Sequence, residues 1–155
     1  MATEIERKFI VDQLPSAEVL GSGLEMRQGY LASEGDVEVR LRITADDATL
    51  TVKAGRGLSR IEIERGLDAD EAESLWPHTA GRRIDKVRHR IAVGSHTAEV
   101  DVYAGALSGL LTVEVEFETT DIAARFEPPT WFGRELTGRT EWSNSALARD
   151  GLPPQ

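Results

Sequence analysis

Cysteine is absent from this 155-residue chain. Its absence excludes a disulfide framework and any thiolate metal site, and it suits a reducing compartment. Histidine is nearly as scarce, and His78, His89 and His96 stand at no metal-ligand spacing. Lysine occurs only as Lys8, Lys53 and Lys86, against fifteen arginines. No apolar run approaches the roughly 18 residues of a membrane-spanning helix. The start, "MATEIERKF", lacks the apolar stretch of a secretory signal, so a cytoplasmic location is expected. No G-x-x-x-x-G-K-[ST] loop is present. A net charge of −9 and a pI near 4.9 argue against general nucleic-acid binding, while leaving room for a local basic pocket. Low-complexity segments and internal repeats are missing too. The length fits a single domain over residues 1–150, able to bury about two-thirds of its unfolded surface, with "GLPPQ" at 151–155 as a disordered tail.

What the chain does have is alternation. "EIERKFIV", "LEMRQGYLA", "VEVRLRI", "TLTVKA", "RIEIER", "RIDKVRHRI", "TAEVDVY" and "LLTVEVEFE" read as eight strands. "SEGD", "ADDA", "AGRGLS" and "VGSH" carry turn chemistry and join them as antiparallel hairpins. Helices are few and short. "LDADEAESLWP" has Asp68 as cap with Glu71 three residues on, and Pro77 as its stop. "TTDIAARFEPP" and "SNSALARDG" read as two more, and Pro15 to Leu20 as a helical turn. The fold class is mostly β.

Side chains two apart on a strand share a face. One phase collects Glu4, Glu6 and Lys8, then Glu38, Arg40 and Arg42, then Lys53, then Arg60, Glu62 and Glu64. It continues with Lys86, Arg88 and Arg90, with Glu99 and Asp101, and with Glu114, Glu116 and Glu118. The other phase is mainly Ile, Val, Leu and Phe. For any one strand this is the ordinary pattern of a wet face and a dry face. Two features point instead to a site. All three lysines fall in the charged phase of separate strands, none on a helix or loop. The signs are also sorted by strand, basic on the third, fourth and sixth, and acidic on the first, fifth, seventh and eighth. A solubilising surface intersperses them. Ammonium and guanidinium groups at fixed places suit a polyanion held at several oxygens. Carboxylates two apart suit a hard cation, Mg²⁺ or Mn²⁺.

The order of these motifs resembles that of the CYTH superfamily, the triphosphate tunnel metalloenzymes. Its E-x-E-x-K signature reads Glu4-Ile-Glu6-Arg-Lys8, and "VRLR", "LTVK", "IEIE", "DKVR", "AEVD" and "VEVE" follow in order to about residue 118. "QGYL" at 28–31 is also typical of bacterial members. The C-terminal match is weaker: "RELTGRTEWSNSALA" keeps Glu135, Thr137 and Asn144, but has Glu141 and Trp142 where Arg and Tyr are expected.

The resemblance implies an eight-stranded antiparallel β-barrel around a charged tunnel open at both ends, with short helices outside. The charged phase would face inward. Three short helices cover little of such a barrel, so exposed apolar patches and a homodimer are expected. The implied activity is metal-dependent hydrolysis of a triphosphate, with a small polyanion as partner and neither nucleic acid nor membrane. Lys8, Arg40, Arg42, Lys53, Lys86 and Arg88 would bind phosphate oxygens. Glu4, Glu6, Glu62, Glu64, Glu114 and Glu116 would hold metal, with Glu99 and Asp101 orienting the bases. Glu116, Lys8 and Lys86 would act in catalysis, Glu116 on the attacking water. The charged phase contains one aromatic residue, Tyr103, and so little shelf for a base, which favours inorganic tripolyphosphate. Tyr30 reads as a packed or surface residue. The alternatives are an adenylate cyclase, a thiamine or nucleoside triphosphatase, and a non-catalytic polyphosphate-binding module.

Overall fold

The computed structural model describes residues 3–154. The eight alternating segments all form strands: β1 (Thr3–Val11), β2 (Leu24–Glu34), β3 (Val37–Ile43), β4 (Ala48–Ala54), β5 (Ser59–Leu67), β6 (Arg83–Val93), β7 (His96–Tyr103) and β8 (Leu111–Glu116). They pair antiparallel in the order β5-β4-β3-β2-β6-β7-β8-β1, and a β5–β1 pairing closes the ring. That seam is short, with Thr3, Glu4 and Ile5 opposite Ile61, Arg60 and Ser59. A ninth strand, β9 (Phe132–Glu135), was not foreseen. It lies beside the second half of β1, pairing Phe9 with Glu135 and Val11 with Phe132. Four residues behind a Pro-Pro pair carry too little alternation to announce a strand.

The helices are α1 (Ala17–Leu20), α2 (Ala69–Leu75), α3 (Thr120–Arg125) and α4 (Asn144–Asp150). The capping box of α2 is present in both directions: Glu71 N–H donates to Asp68 at 2.8 Å, and Asp68 N–H donates to Glu71 at 3.0 Å. Pro77 ends α2 in a 3₁₀ turn, Trp76–Thr79. Thr119 caps α3 and Ser143 caps α4. Gly151 takes the positive φ of 79° at the end of α4, where a side chain would be strained. Among the described residues no helix is long and apolar enough to cross a membrane.

The ring is inverted, as the resemblance implies: the charged phase lines the interior and the apolar phase faces out. Its outward phase builds the main apolar cluster: Phe9, Val11, Ile91, Val100, Val113, Val115 and Phe117, covered by Ala123 of α3, Phe126 just after it and Phe132 of β9. Arg7 clamps this cover. It bonds both carboxylate oxygens of Glu135 and the carbonyls of Ala123 and Phe126. Across the molecule the outer faces of β3 and β5 leave Val37, Ile61 and Ile63 exposed, the uncovered apolar surface expected from so few helices.

A second apolar cluster lies at one end of the ring's interior. Tyr30, Ile84 and Tyr103 meet Leu107, Leu110, Leu136, Trp142 and Leu147 there, with Ile10 against them. The segment running through α4 therefore partly stoppers an end that was expected to be open. It does so because Ile10, Ile84 and Tyr103, which continue the charged phase of β1, β6 and β7, are apolar or aromatic and need cover.

Candidate active site

Inside the ring is a polar cavity of about 410 Å³. Its wall includes Glu4, Glu6 and Lys8 from β1, Arg40 and Arg42 from β3, Lys53 from β4, Glu62 and Glu64 from β5, Arg88 from β6, Glu99 from β7, and Glu114 and Glu116 from β8. Twelve of the fourteen residues expected in the site thus face one space. The exceptions are Lys86 and Asp101. Both are buried behind the wall, where Lys86 Nζ donates to Asp101 at 2.7 Å. Lys86 does not line the cavity, in contrast to its expected place among the phosphate contacts. Its β-strand phase is right, but Tyr103 stands opposite it on β7 and Asp101 takes its ammonium.

On the β6–β7 wall the charges complete one another. Arg88 makes two bonds of 2.8 Å to Asp101 and a third of 3.2 Å to Glu99. Burial would raise the Asp101 carboxyl, but Lys86 and Arg88 overcome it and hold the group well below the carboxylate range. Glu114 behaves alike: burial pushes up, yet Lys8 and Arg88 pull it down to about 2.

Lys53 donates to Glu4 at 2.8 Å and lies 3.4 Å from Glu62. Burial and the neighbouring Glu4 carry the Glu62 carboxyl up to about 7. Lys8 donates 2.8 Å to the Trp142 carbonyl and sits 3.8 Å from Glu114. Among the described residues Arg40 has only Thr51 at 3.3 Å and Glu64 at 4.0 Å, and its buried Nε has no partner. A buried guanidinium with a free donor is costly unless an acceptor arrives. Arg42 bonds the neutral Gln28, and burial together with Arg40 and Arg88 lowers it to about 10.

Glu6 and Glu116 lie directly opposite each other across the β1–β8 ladder. Among the described residues neither has an ion-pair partner. Burial first, and then Glu114, pushes Glu6 well above the usual range; burial and Glu4 push Glu116 up. No three acidic or histidine side chains among the described residues are gathered into a ready metal cage. Lys53 and Lys8 draw some of the carboxylates aside. The donors nevertheless fit a hard divalent cation: they are carboxylate oxygens on one cavity wall, and Glu6 and Glu116 have no ion-pair partner among the described residues.

Sequence reasoning missed several wall residues. Tyr30 is inside, buried and lining the cavity, as is Trp142. Gln28 and Thr51 are fully buried supports. All but Trp142 follow the charged phase of their strands, and that phase was the available signal. The C-terminal segment, whose match was weak, is tied into the site: Thr137 accepts from Lys8 N–H at 3.0 Å, and Asn144 accepts from the Tyr103 hydroxyl at 2.6 Å.

This arrangement has counterparts. An inorganic triphosphatase of Nitrosomonas europaea is 45% identical over 148 residues, 94% of this chain and 97% of that protein. One from Acetivibrio thermocellus is 36% identical over 152 residues, 97% of this chain and 96% of its own length. A solved structure described as an inorganic triphosphatase superposes with a TM-score of 0.71 at 39% identity, covering 99% of both chains. A model of the CYTH domain matches residues 2–137, which takes in all nine strands. With its charges turned inward on an eight-stranded ring, this chain belongs to the CYTH domain family.

Proposed function

We propose that this chain is a divalent-metal-dependent triphosphatase that hydrolyses inorganic tripolyphosphate to pyrophosphate and phosphate. One observation carries the reading: Lys8, Arg40, Arg42, Lys53 and Arg88, from four strands, converge on one cavity whose wall also carries Glu6 and Glu116, which have no ion-pair partner among the described residues. The curated relatives named as inorganic triphosphatases support it. So does the lining, whose aromatic members, Tyr30 and Trp142, are both buried and leave no open shelf for a base.

The five bases bind phosphate oxygens and spread the charge that develops during transfer. Lys8 and Lys53 exchange internal partners, the Trp142 carbonyl and the Glu4 and Glu62 carboxylates, for substrate oxygens. Arg88 arrives already oriented by Asp101 and Glu99. Lys86 acts behind it, as the counter-charge that lets Asp101 stay ionised. Glu4, Glu6, Glu62, Glu114 and Glu116 would hold Mg²⁺ or Mn²⁺, with Glu64 at the exposed margin. Held there, such a cation would supply charge neutralisation for the phosphates. Glu116 accepts a hydrogen bond from the attacking water. The water oxygen bonds to the terminal phosphorus as the bridging P–O bond breaks; the bond's electron pair leaves on pyrophosphate, and the water's proton passes to Glu116.

The test is phosphate release from tripolyphosphate, ATP and thiamine triphosphate, each with Mg²⁺ and with Mn²⁺, alongside a cyclic AMP assay. Tripolyphosphate should be turned over fastest, and chelation should stop it. Cyclic AMP formed from ATP, or tight tripolyphosphate binding without phosphate release under either metal, would overturn the reading.

A further inference from the structure

We propose that Gln28 is a positioning residue of this site, whose one amide both pins the Arg42 guanidinium and turns the Tyr30 hydroxyl proton toward the cavity. The inference rests on the reading of the cavity as a triphosphate site.

Gln28 is fully buried on β2, behind the wall, while Arg42 and Tyr30 both line the cavity. Arg42 donates from Nε and Nη2 to Gln28 Oε1 at 3.3 and 3.2 Å. A guanidinium has only donors, so the amide oxygen must face it. The amide nitrogen is then left facing Tyr30, and it donates to the phenol oxygen at 2.9 Å. The polarity of the chain is forced, since a flipped amide would set donor against donor at Arg42. The phenol oxygen accepts, and its own proton points away from Gln28. Burial and the neighbouring Glu38 raise the Tyr30 hydroxyl to about 12, so that proton is retained at neutral pH.

The choice of an amide has a consequence. Asp101 orients Arg88 but cancels much of its charge, whereas Gln28 orients Arg42 and leaves its charge for a ligand. The platform is stiff. A Cβ on Gly29 would lie 2.5 Å from Thr79, so the strand is in close contact with its neighbour there. Arg82 Nε donates to the Tyr30 carbonyl at 2.8 Å, and Tyr30 N–H donates to the Arg82 carbonyl at 2.9 Å. The β2–β3 register shifts just after Tyr30, and such irregularities re-aim side chains beside active sites.

The test compares Gln28→Glu, Tyr30→Phe and the double variant in tripolyphosphate hydrolysis and in tripolyphosphate binding by calorimetry. A carboxylate at position 28 still holds Arg42, but it can only accept, so the Tyr30 proton swings to it. Each single variant should lose about tenfold or more in kcat/KM, the scale of one hydrogen bond to a charged group. The double variant should be no worse than Gln28→Glu. Losses that multiply in the double variant, or wild-type kinetics in Gln28→Glu, overturn the proposal. Should Gln28→Glu not fold, Tyr30→Phe decides: a raised KM supports the proposal and unchanged kinetics overturns it. A wild-type protein that neither binds nor hydrolyses tripolyphosphate overturns the functional reading and this inference with it. An active wild type with wild-type-like variants overturns this inference alone.

Discussion

Two walls of one cavity are built on opposite terms. On the β6–β7 wall, Lys86, Arg88 and Asp101 satisfy one another at 2.7–2.8 Å. On the β1–β8 wall, Glu6 faces Glu116, and neither has an ion-pair partner among the described residues. The first wall is complete without a ligand and can hold Arg88 in place. The second leaves two facing carboxylates unpaired, so positive charge brought there would be favourable. A binding site for a charged ligand needs both: pre-oriented groups to fix geometry, and unsatisfied groups to supply the drive.

The comparison breaks most readily at Asp101. Asp101→Asn leaves Lys86 and Arg88 buried and short of a counter-charge, and losing one partner of a buried pair costs about 3–5 kcal/mol. In a chain of this size that lowers the melting temperature by roughly 10 °C, to be read by calorimetry without ligand. Arg40→Leu comes next. It removes the base with the unpartnered Nε, and should lower tripolyphosphate turnover about a hundredfold while leaving the melting temperature near that of the wild type.

Acid separates the walls by sign. The folded-state Asp101 lies below its ordinary value. Its contribution is therefore full above about pH 4 and is lost as pH falls through the depressed folded value. The wild-type melting temperature should fall steeply in that acid window, and Asp101→Asn should show a shallower acid limb. Glu6→Gln on the other wall should act in the opposite direction. Removing one of two facing carboxylates stabilises the ligand-free protein by about 0.2–1 kcal/mol, and the rise in melting temperature on adding Mg²⁺ should shrink. The smallest effect is expected at the rim. Arg90 pairs with Glu99 at 2.9 Å, but its side chain is 73% exposed, so Arg90→Ala should change stability by no more than about 0.5 kcal/mol.

Much of this was legible in the residues. The eight ring strands, the capping box at Asp68 and Glu71, and the shared face of Glu4, Glu6, Lys8, Arg40, Arg42 and Lys53 all follow from spacing. β9 was not legible because it owes its existence to docking on β1 rather than to its own four residues. Lys86 could be assigned a face but not a depth. Whether it reaches the cavity depends on Tyr103 opposite and Asp101 beside it, both on another strand. The C-terminal segment was obscure for a related reason. What it offers the Lys8 ammonium is a backbone carbonyl, that of Trp142, and a carbonyl leaves no mark on residue identity.

The sequence by itself determined which side chains share a face of each strand, because a two-residue period sorts them. The order of the charged motifs, through the family they resemble, implied which of the two faces turns inward. Only the tertiary structure decided which charges cancel and which remain open. Pairing depends on register between strands far apart in the chain, such as Glu6 against Glu116, and on burial, which sets how strongly each unpaired charge calls for a partner.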